Sequence, residues 1–203
     1  MPRVSEEHLE RRRRQILDAS RRCFVRKGVH ETSMQDIFAE SGLSAGAVYR
    51  YFKSKNEIVA ANLMAVVGDM QAFLIDLTSG DRLPPLDEIL EALADKLTGL
   101  SGEDGPVRLA PQAWALAMYD PGLADHLTGS FAALREIWGG YLRRLVDEGR
   151  LPAGTDVEAT SKTLFAIMPG YLLQRLLIDD VTPRDLRLGM RALANAALVA
   201  QPA

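Results

Sequence analysis

The sequence predicts an all-α protein of about nine helices, and three observations favour this fold class. Glycine and proline divide the 203 residues into segments of helical length joined by short links. No stretch shows the period-two alternation of β-branched residues that is typical of a half-buried strand. Four segments begin with a serine or threonine and carry a carboxylate three residues later, a pattern that caps the first turn of a helix. These four starts are residues 33–36, 54–57, 155–158 and 182–185.

In chain order, the helices are expected near residues 5–27, 33–40, 44–51, 54–79, 85–100, 105–119, 122–149, 155–179 and 183–200. The fourth helix is long and apolar, so it is predicted to leave the N-terminal unit and run into the body of the protein. In the eighth helix, Pro169 removes a backbone hydrogen bond, which predicts a kink. The ninth helix begins at Pro183, because proline is well tolerated at the first helical position.

The composition is that of a globular chain that can bury a hydrophobic core, since 47% of its residues are hydrophobic. The single cysteine, Cys23, excludes an intrachain disulfide and a cysteine metal cluster. The first residues lack the apolar run of a signal peptide. The longest nearly uncharged stretch, residues 163–174, is shorter than the roughly 20 residues of a membrane span. We therefore expect a cytoplasmic protein with no membrane partner.

The net charge of −3 is distributed unevenly along the chain. Residues 1–60 hold 12 lysines and arginines against 8 carboxylates, whereas the other 143 residues hold 12 against 19. The arginine run at residues 11–14 is by itself equally consistent with a solvated helix face. A basic head on an acidic body nevertheless indicates that the head alone meets a polyanion.

Residues 42–52, GLSAGAVYRYF, fit two incompatible patterns. The first five match G-x-S-x-G, which places a nucleophilic serine on a strand-to-helix turn in α/β-hydrolases. That interpretation requires a buried strand before Gly42, yet a capped helix is predicted there. It also requires a later acid and histidine, and the one downstream histidine, His126, lies beside Asp125 on a polar face. Catalysis at Ser44 is therefore rejected, and no enzymatic activity is expected.

The other interpretation is a helix-turn-helix whose last helix contacts DNA bases. Gly42 supplies the positive φ that ends the second helix, and Ser44 caps the third. The small residues Ala45, Gly46 and Ala47 then let the backbone approach base edges in a major groove. Hydroxyls and cations that can meet phosphates follow at Tyr49, Arg50, Tyr51, Lys53 and Lys55. The expected core of this unit is Ile16, Phe24, Val25, Ile37, Leu43, Val48 and Phe52.

Residues 32–61, TSMQDIFAESGLSAGAVYRYFKSKNEIVAA, resemble the DNA-binding region of TetR/AcrR-family transcriptional regulators. The resemblance covers about residues 10–60 and includes the glycine turn, the Y-x-Y-F cluster and the S-K start of the next helix. It implies a homodimer whose helical C-terminal domain binds a small molecule and thereby lowers the affinity for an operator. Phe38 and Ser41 stand where the family usually has alanine, so the packing angle of the second and third helices is expected to differ slightly.

The resemblance also assigns DNA contacts by position. Tyr49 and Lys55 correspond to residues that grip phosphates, and Lys55 is favoured by the positive end of its own helix. Thr32 and Ser33 resemble phosphate contacts at the start of the second helix. The residues that correspond to base contacts are Gln35, Ser44, Ala45 and Gly46.

The body of the chain, residues 85–200, carries no metal-ligand spacing, phosphate-binding loop or catalytic grouping, so no cofactor or metal is expected. Its aromatic and methionine residues predict a mostly apolar ligand pocket, although such residues at helical spacing are more often plain core. The pocket candidates are Gln112, Trp114, Met118, Tyr119, Phe131, Trp138, Tyr141, Phe165, Met168, Tyr171, Gln174 and Arg175.

The last two helices are apolar on more than one face, which predicts a two-fold, four-helix interface with a second copy of the chain. The interface candidates are Leu164, Leu172, Leu173, Leu176, Leu177, Leu186, Met190, Leu193 and Ala197.

Together these inferences predict a helix-turn-helix DNA-binding domain over residues 1–53 and a helical ligand-binding and dimerisation domain over residues 54–203. The predicted function is a ligand-responsive repressor that binds a palindromic operator in double-stranded DNA as a homodimer and is released by a small apolar or aromatic effector. One alternative is a small-molecule binding protein whose helix-turn-helix no longer recognises DNA, and another is an all-α enzyme. Repression and activation are both compatible with these residues.

Overall fold

The computed structural model describes residues 6–199, and side chains for residues 6–195. Over that part of the chain there are nine α-helices and one 3-10 helix (Pro106–Leu109), and no strand. The α-helices are α1 (Glu6–Glu31), α2 (Met34–Ser41), α3 (Ala45–Tyr49), α4 (Lys55–Thr78), α5 (Leu86–Gly99), α6 (Ala110–Ala117), α7 (Pro121–Asp147), α8 (Val157–Leu177) and α9 (Pro183–Val199). The predicted all-α class is confirmed.

Capping side chains explain where several helices begin. At the start of α2, the Ser33 hydroxyl accepts from the Asp36 amide at 3.2 Å, and the Asp36 carboxylate accepts from the Ser33 amide at 2.8 Å. Thr182 and Asp185 form the same reciprocal pair at the start of α9. Both capping boxes are those that the sequence predicts.

Two helix starts differ from the prediction. Helix α8 is capped by Asp156, whose carboxylate accepts from the Ala159 amide at 2.9 Å, so the predicted cap at Thr155 is one residue early. The segment predicted as one helix over residues 105–119 is divided into the 3-10 helix and α6. Pro111 lies in the first turn of α6, where its missing N–H suits a new helix start.

Helix α1 is broken at Gly28, which has φ 81° and ψ 158°. This positive φ favours glycine, and it ends the continuous helix at Lys27, where the sequence predicts the end. The chain then forms a corner, residues 28–33, before α2 begins. The Thr32 hydroxyl donates to the Gly28 carbonyl at 2.8 Å and closes this corner.

The described chain divides into two compact units, each built from two separate stretches of sequence, whereas the domain boundary between residues 53 and 54 stays a prediction. The first unit consists of the chain up to Val66 together with Glu103–Thr128. The second unit consists of Val67–Gly102 together with the chain from Gly129 onwards. Helices α4 and α7 each contribute their first part to the first unit and the rest to the second. The first unit therefore contains the helix-turn-helix together with the start of α4, the 3-10 helix and α6.

The core of the helix-turn-helix is largely the predicted one. Its buried members are Ile16, Phe24, Ile37, Val48 and Phe52. Val25 and Leu43 are half-buried. Burial of one such side chain contributes about 1.5–3 kcal/mol, so this small core stabilises the packing of α1, α2 and α3 against one another.

In the second unit, α5 packs against α8 and α9. The Arg187 guanidinium of α9 lies 3.1 Å from the Asp87 carboxylate, 3.0 Å from that of Glu88 and 2.6 Å from that of Glu91, all on α5. Helix α8 runs through Pro169 as one helix. These ion pairs hold α9 along α5.

Helix α4 is long and apolar enough, by length and composition alone, to cross a membrane. However, 44% of its apolar window is buried within the protein, and core helices of soluble proteins pass the same test. The buried side chains include Ile58, Leu63, Val66, Met70 and Leu74. The hydrophobicity of α4 is therefore used in the protein's own packing.

Candidate nucleic-acid interface

The turn between α2 and α3 has the geometry of a helix-turn-helix. Gly42 adopts the left-handed conformation, with φ 66° and ψ 21°, and its amide donates to the Ala39 carbonyl at 3.3 Å. Ser44 then caps α3, because its hydroxyl accepts from the Ala47 amide at 3.3 Å. Both assignments agree with the sequence, and together they set the direction in which α3 leaves the turn.

The first turn of α3 presents small residues to solvent. Ser44, Ala45 and Gly46 are all exposed, and a Cβ placed on Gly46 would meet no other atom within 4 Å. Val48 is fully buried and anchors the opposite side of α3. Gln35 of α2 is exposed, and its side chain forms no hydrogen bond to another described residue. The predicted base contacts are thus accessible polar or small groups.

Tyr49 lies at the C-terminal end of α3 and is exposed. Its ring packs edge-on against Phe38 of α2, with 5.5 Å between the ring centroids. Such edge-to-face pairs favour one relative orientation of the two rings. Phe38, which departs from the usual alanine, therefore supports the position of Tyr49.

Many basic side chains of the helix-turn-helix are neutralised by carboxylates. These ion pairs are Arg14–Glu10, Arg21–Asp18, Arg22–Glu40, Arg26–Glu40 and Lys27–Asp36. Between residues 6 and 66, the lysines and arginines with no carboxylate partner are Arg11, Arg12, Arg13, Arg50, Lys53 and Lys55. The charge available to a polyanion is therefore concentrated in fewer residues than the sequence alone indicates.

A small cavity of about 150 Å³ lies between α1 and α3 and is lined by both Arg12 and Arg50. Arg12 also donates to the Gln15 side chain at 2.8 Å, and Arg50 is exposed. Arg12 is absent from the predicted DNA contacts. Its one signal in the sequence is the arginine run at residues 11–14, which does not indicate which arginine lies beside α3.

Lys53 is exposed just beyond α3. Its ammonium donates to the Tyr49 carbonyl at 2.8 Å, and its amide donates to the Glu57 carboxylate at 2.7 Å. An ammonium has three donors, so Lys53 retains two for a phosphate.

Lys55 is placed differently from the predicted phosphate contact. Its ammonium donates to the carbonyls of Val29 at 2.7 Å, His30 at 3.1 Å and Thr32 at 2.8 Å. All three of its donors are therefore used within the chain. In the free chain, therefore, the Lys55 ammonium holds backbone carbonyls, and the phosphate contact that the resemblance implies stays a prediction.

The two predicted phosphate contacts before α2 are also engaged within the chain. Thr32 is only 1% exposed, and its hydroxyl donates to the Gly28 carbonyl, so its side chain is not available to DNA. The exposed Ser33 hydroxyl donates to the Asp36 carboxylate at 2.8 Å. Both side chains serve the corner and the cap of α2.

Ion pairs tie α2 to α1. The Lys27 ammonium donates to the Asp36 carboxylate at 2.6 Å, and this hydrogen bond is the main reason why the pKa of the Asp36 carboxyl lies well below its usual range. The Ser33 amide and hydroxyl lower this pKa further. The pKa of Glu40 is lowered by its hydrogen bonds to Arg26 and Arg22. Both carboxylates are therefore charged at neutral pH, and they connect the two helices.

Comparison with known proteins identifies the family. The family model described as "Bacterial regulatory proteins, tetR family" matches residues 16–61, and the one described as "BetI-type transcriptional repressor, C-terminal" matches residues 85–200. The chain belongs to the TetR family of transcriptional regulators. The predicted arrangement of an N-terminal helix-turn-helix domain and a C-terminal helical domain is confirmed.

Individual relatives of this TetR-family regulator cover nearly the whole chain. The HTH-type transcriptional regulator ArpR of Pseudomonas putida is 26% identical over 183 residues, which are 89% of this chain and 87% of ArpR. A solved structure of a transcriptional regulator from Pseudomonas aeruginosa PAO1 has a TM-score of 0.79, 24% identity, and coverage of 98% of this chain and 95% of its own. The SmeT–triclosan complex has a TM-score of 0.70 and 27% identity, and 90% of each chain is covered.

The predicted ligand-pocket residues of the TetR-family regulator divide between the two units. Gln112, Trp114, Met118 and Tyr119 belong to the first unit, and the other eight candidates belong to the second. The Gln112 side-chain oxygen accepts from the Val29 amide at 2.8 Å, so it holds the corner before α2. Trp114 has a buried indole N–H that finds no acceptor within the described residues, whereas Met118 and Tyr119 are exposed.

Three aromatic candidates in the second unit lie in its core, and their assignment to a pocket stays a prediction. Trp138, Tyr141 and Tyr171 are buried. The Tyr141 hydroxyl donates to the Pro84 carbonyl at 2.9 Å, and burial raises its pKa to about 12. The Tyr171 hydroxyl shares a hydrogen bond of 2.7 Å with that of Thr98. The two tyrosine hydroxyls therefore have partners in the fold.

The remaining candidates in the second unit have mixed surroundings. The rings of Phe131 and Phe165 lie 4.9 Å apart, and both residues are half-buried, as is Met168. Arg175 forms an ion pair with Asp179. The exposed Gln174 donates to the Gly170 carbonyl at 3.4 Å. Arg175 and Gln174 thus have polar partners close by in the chain, and their role in a pocket stays a prediction.

The predicted dimer residues fall into two groups. Leu164 and Leu172 are 3% and 4% exposed, so they belong to the core of the second unit and are removed from the interface. Leu173, Leu177 and Leu193 are exposed, and three others are half-buried: Leu176, Leu186 and Met190. The exposed Ile178 and Leu188 also lie at the end of α8 and on α9, although the prediction omits them. The side chain of Ala197 lies outside the described residues.

Proposed function

We propose that this TetR-family regulator is a repressor that binds a palindromic operator as a homodimer and is released by a small aromatic effector. The observation that carries the proposal is the exposed face of α2 and α3. The opposite sides of these helices are buried in the core, and Arg50 and Lys53 next to the face have no carboxylate partner among the described residues. DNA recognition needs accessible groups at base edges and cations at the flanking phosphates.

Two sets of residues on this face have separate tasks in the proposal. Gln35, Ser44, Ala45 and Gly46 contact base edges. Tyr49, Arg50, Tyr51 and Lys53 contact phosphates, and Arg12 joins them because it lines the same cavity as Arg50. Lys55, Thr32 and Ser33 support the backbone before and after this face.

The exposed leucines of α8 and α9 support a homodimer. Leu177 is 78% exposed and Leu193 is 68% exposed in the single chain. Apolar faces of this kind are commonly covered by a second subunit through a two-fold axis. Two recognition helices in such a dimer would contact half-sites about 34–36 Å apart, or a multiple of that distance.

Helix α6 supports the ligand response. Trp114 carries the buried N–H without a partner, and a buried donor left unpaired costs about 1–3 kcal/mol. An effector with a hydrogen-bond acceptor would satisfy it. Two residues earlier on the same helix, Gln112 holds the Val29 amide. A shift of α6 on ligand binding would therefore disturb the corner that precedes α2.

A solved structure that is similar in fold to this chain is the complex of SmeT with triclosan. This similarity favours an aromatic effector with a polar atom.

A gel shift with DNA from beside the gene tests the proposal. We expect a retarded protein–DNA complex that dissociates when an aromatic effector such as triclosan is added. A coupling free energy of about 1–3 kcal/mol between the effector site and the DNA-contacting face would lower the operator affinity 5- to 150-fold. The matched variant Trp114→Phe keeps the ring but removes the donor, so it should bind DNA normally and respond less to the effector. Effectors that stabilise the protein but leave operator affinity unchanged would instead favour a small-molecule binding protein.

A further inference from the structure

The corner between α1 and α2 leaves backbone carbonyls without helical donors. Helix α1 is interrupted at Gly28 and ends at Glu31, so the carbonyls of its last turn have no amide of the same helix to bond. The carbonyls of Val29, His30 and Thr32 converge on the single ammonium of Lys55. This ammonium takes the place of the missing helical amides.

Other groups of the first unit hold the same corner. The Gln112 side chain accepts from the Val29 amide at 2.8 Å, and the Thr32 hydroxyl donates to the Gly28 carbonyl at 2.8 Å. Ser33, the cap of α2, follows Thr32 directly. Any movement of the corner is therefore passed on to the start of α2.

Lys55 is itself the first residue of α4. Its three hydrogen bonds connect the start of α4 to the corner, and each is charge-assisted, which makes it stronger than a neutral bond. Helices α2 and α3 lie in the chain between these two attachment points. Lys55 thus closes a loop of about 25 residues that contains the whole DNA-contacting face.

We infer that Lys55 is a positioning residue: its ammonium fixes the corner before α2 to the start of α4 and so sets the angle at which α2 and α3 meet DNA. It acts on operator recognition without touching a phosphate. This inference rests on the proposed operator binding.

Three variants distinguish positioning from phosphate contact. Lys55→Met removes the ammonium, and Lys55→Arg keeps the charge but replaces three diverging donors with a planar fork. Lys53→Met removes a nearby exposed cation. For each protein, fluorescence anisotropy gives the affinity for operator and for random DNA over a range of salt, and thermal unfolding gives Tm.

For Lys55→Met we expect a lower Tm, a roughly tenfold lower ratio of operator to random-DNA affinity, and an unchanged salt slope. Lys55→Arg should recover part of that ratio. Lys53→Met should keep its Tm and lose about 0.9 from the salt slope, as expected when one phosphate contact is removed. Leu97→Ala, a core change in the second unit, controls for stability, since it should lower Tm and leave the affinity ratio unchanged.

The inference is overturned if Lys55→Met keeps its Tm and affinity ratio, or if its salt slope becomes shallower by about 0.9. If Lys55→Met does not fold, Lys55→Arg takes its place in the same comparison. A wild-type protein that does not prefer operator over random DNA would overturn the proposed function instead. In that case the difference in Tm between Lys55→Met and Lys53→Met still tests whether Lys55 holds the corner.

Discussion

In the first unit the polar groups at α3 face solvent, with Ser44 and Arg50 exposed, whereas in the second unit the hydroxyls of Tyr141 and Tyr171 are bonded inside the core. The residues at α3 were predicted from their positions in the helix-turn-helix motif. The tyrosines of the second unit were predicted only because they are aromatic residues within long helices. A motif fixes which side of a short helix is exposed, because turn, cap and core residues occur at set distances. An aromatic residue in a long helix carries no such information, and most often it is core.

The largest expected effect comes from removing the core under the DNA-contacting face. Ile37 is fully buried, so Ile37→Ala should lower the free energy of unfolding by about 2–5 kcal/mol and abolish operator binding. Urea unfolding followed by circular dichroism measures the stability. The control is Gln35→Ala, two residues away and exposed, which should keep the stability and change only the preference among bases. Equal effects of the two changes would contradict the division between core and exposed face.

A smaller effect should follow from removing one hydroxyl in the second unit. Tyr141→Phe leaves the Pro84 carbonyl without its donor, so we expect a loss of about 1 kcal/mol and a Tm lower by roughly 2–4 °C. Tyr119→Phe is the control, because Tyr119 is 85% exposed and should tolerate the change. If Tyr141→Phe kept its Tm but weakened effector binding, Tyr141 would be a ligand contact after all.

Tyr141 also predicts a loss of stability at high pH. Its folded pKa is raised to about 12 by burial, above the value of about 10 for an unfolded tyrosine. A raised folded pKa gives a contribution that is complete below about pH 10 and is lost as the pH rises towards 12. Wild-type protein should therefore lose more stability over this range than Tyr141→Phe, as measured by urea unfolding at each pH.

The smallest effect concerns the surface of the first unit. The pKa of Asp36 is lowered chiefly by Lys27, so its contribution is present above the ordinary pKa of about 4 and is lost as the pH falls further. Thermal unfolding from pH 7 to pH 2 should show a steeper loss of Tm in acid for wild type than for Asp36→Asn. Parallel curves for the two proteins would show that the Lys27–Asp36 pair contributes nothing to folding.

Features set by neighbouring residues were predictable from the sequence. The left-handed Gly42, the caps at Ser33 and Ser44 and the interruption of α1 at Gly28, next to the predicted helix end at residue 27, depend on residues within a few positions. The family assignment rests on the same local pattern and is confirmed.

Features set by distant residues were not predictable. Lys55 meets carbonyls more than twenty positions earlier, and Gln112 meets the Val29 amide from a helix far along the chain. Arg12 lines a cavity with Arg50 only because α1 crosses α3. Spacing along the chain gives no measure of such distances, so neither the carbonyl partners of Lys55 nor the position of Arg12 could be predicted from the sequence.

Recognition of a palindromic operator is tested most directly by selecting bound DNA from a random library with the full-length protein and sequencing it. We expect enrichment of one inverted repeat whose half-sites lie about one helical turn apart, or a multiple of it, and a change of preferred bases within each half-site for Gln35→Ala. Enrichment of no sequence, or of a site without two-fold symmetry, would contradict recognition of a palindromic operator through α2 and α3.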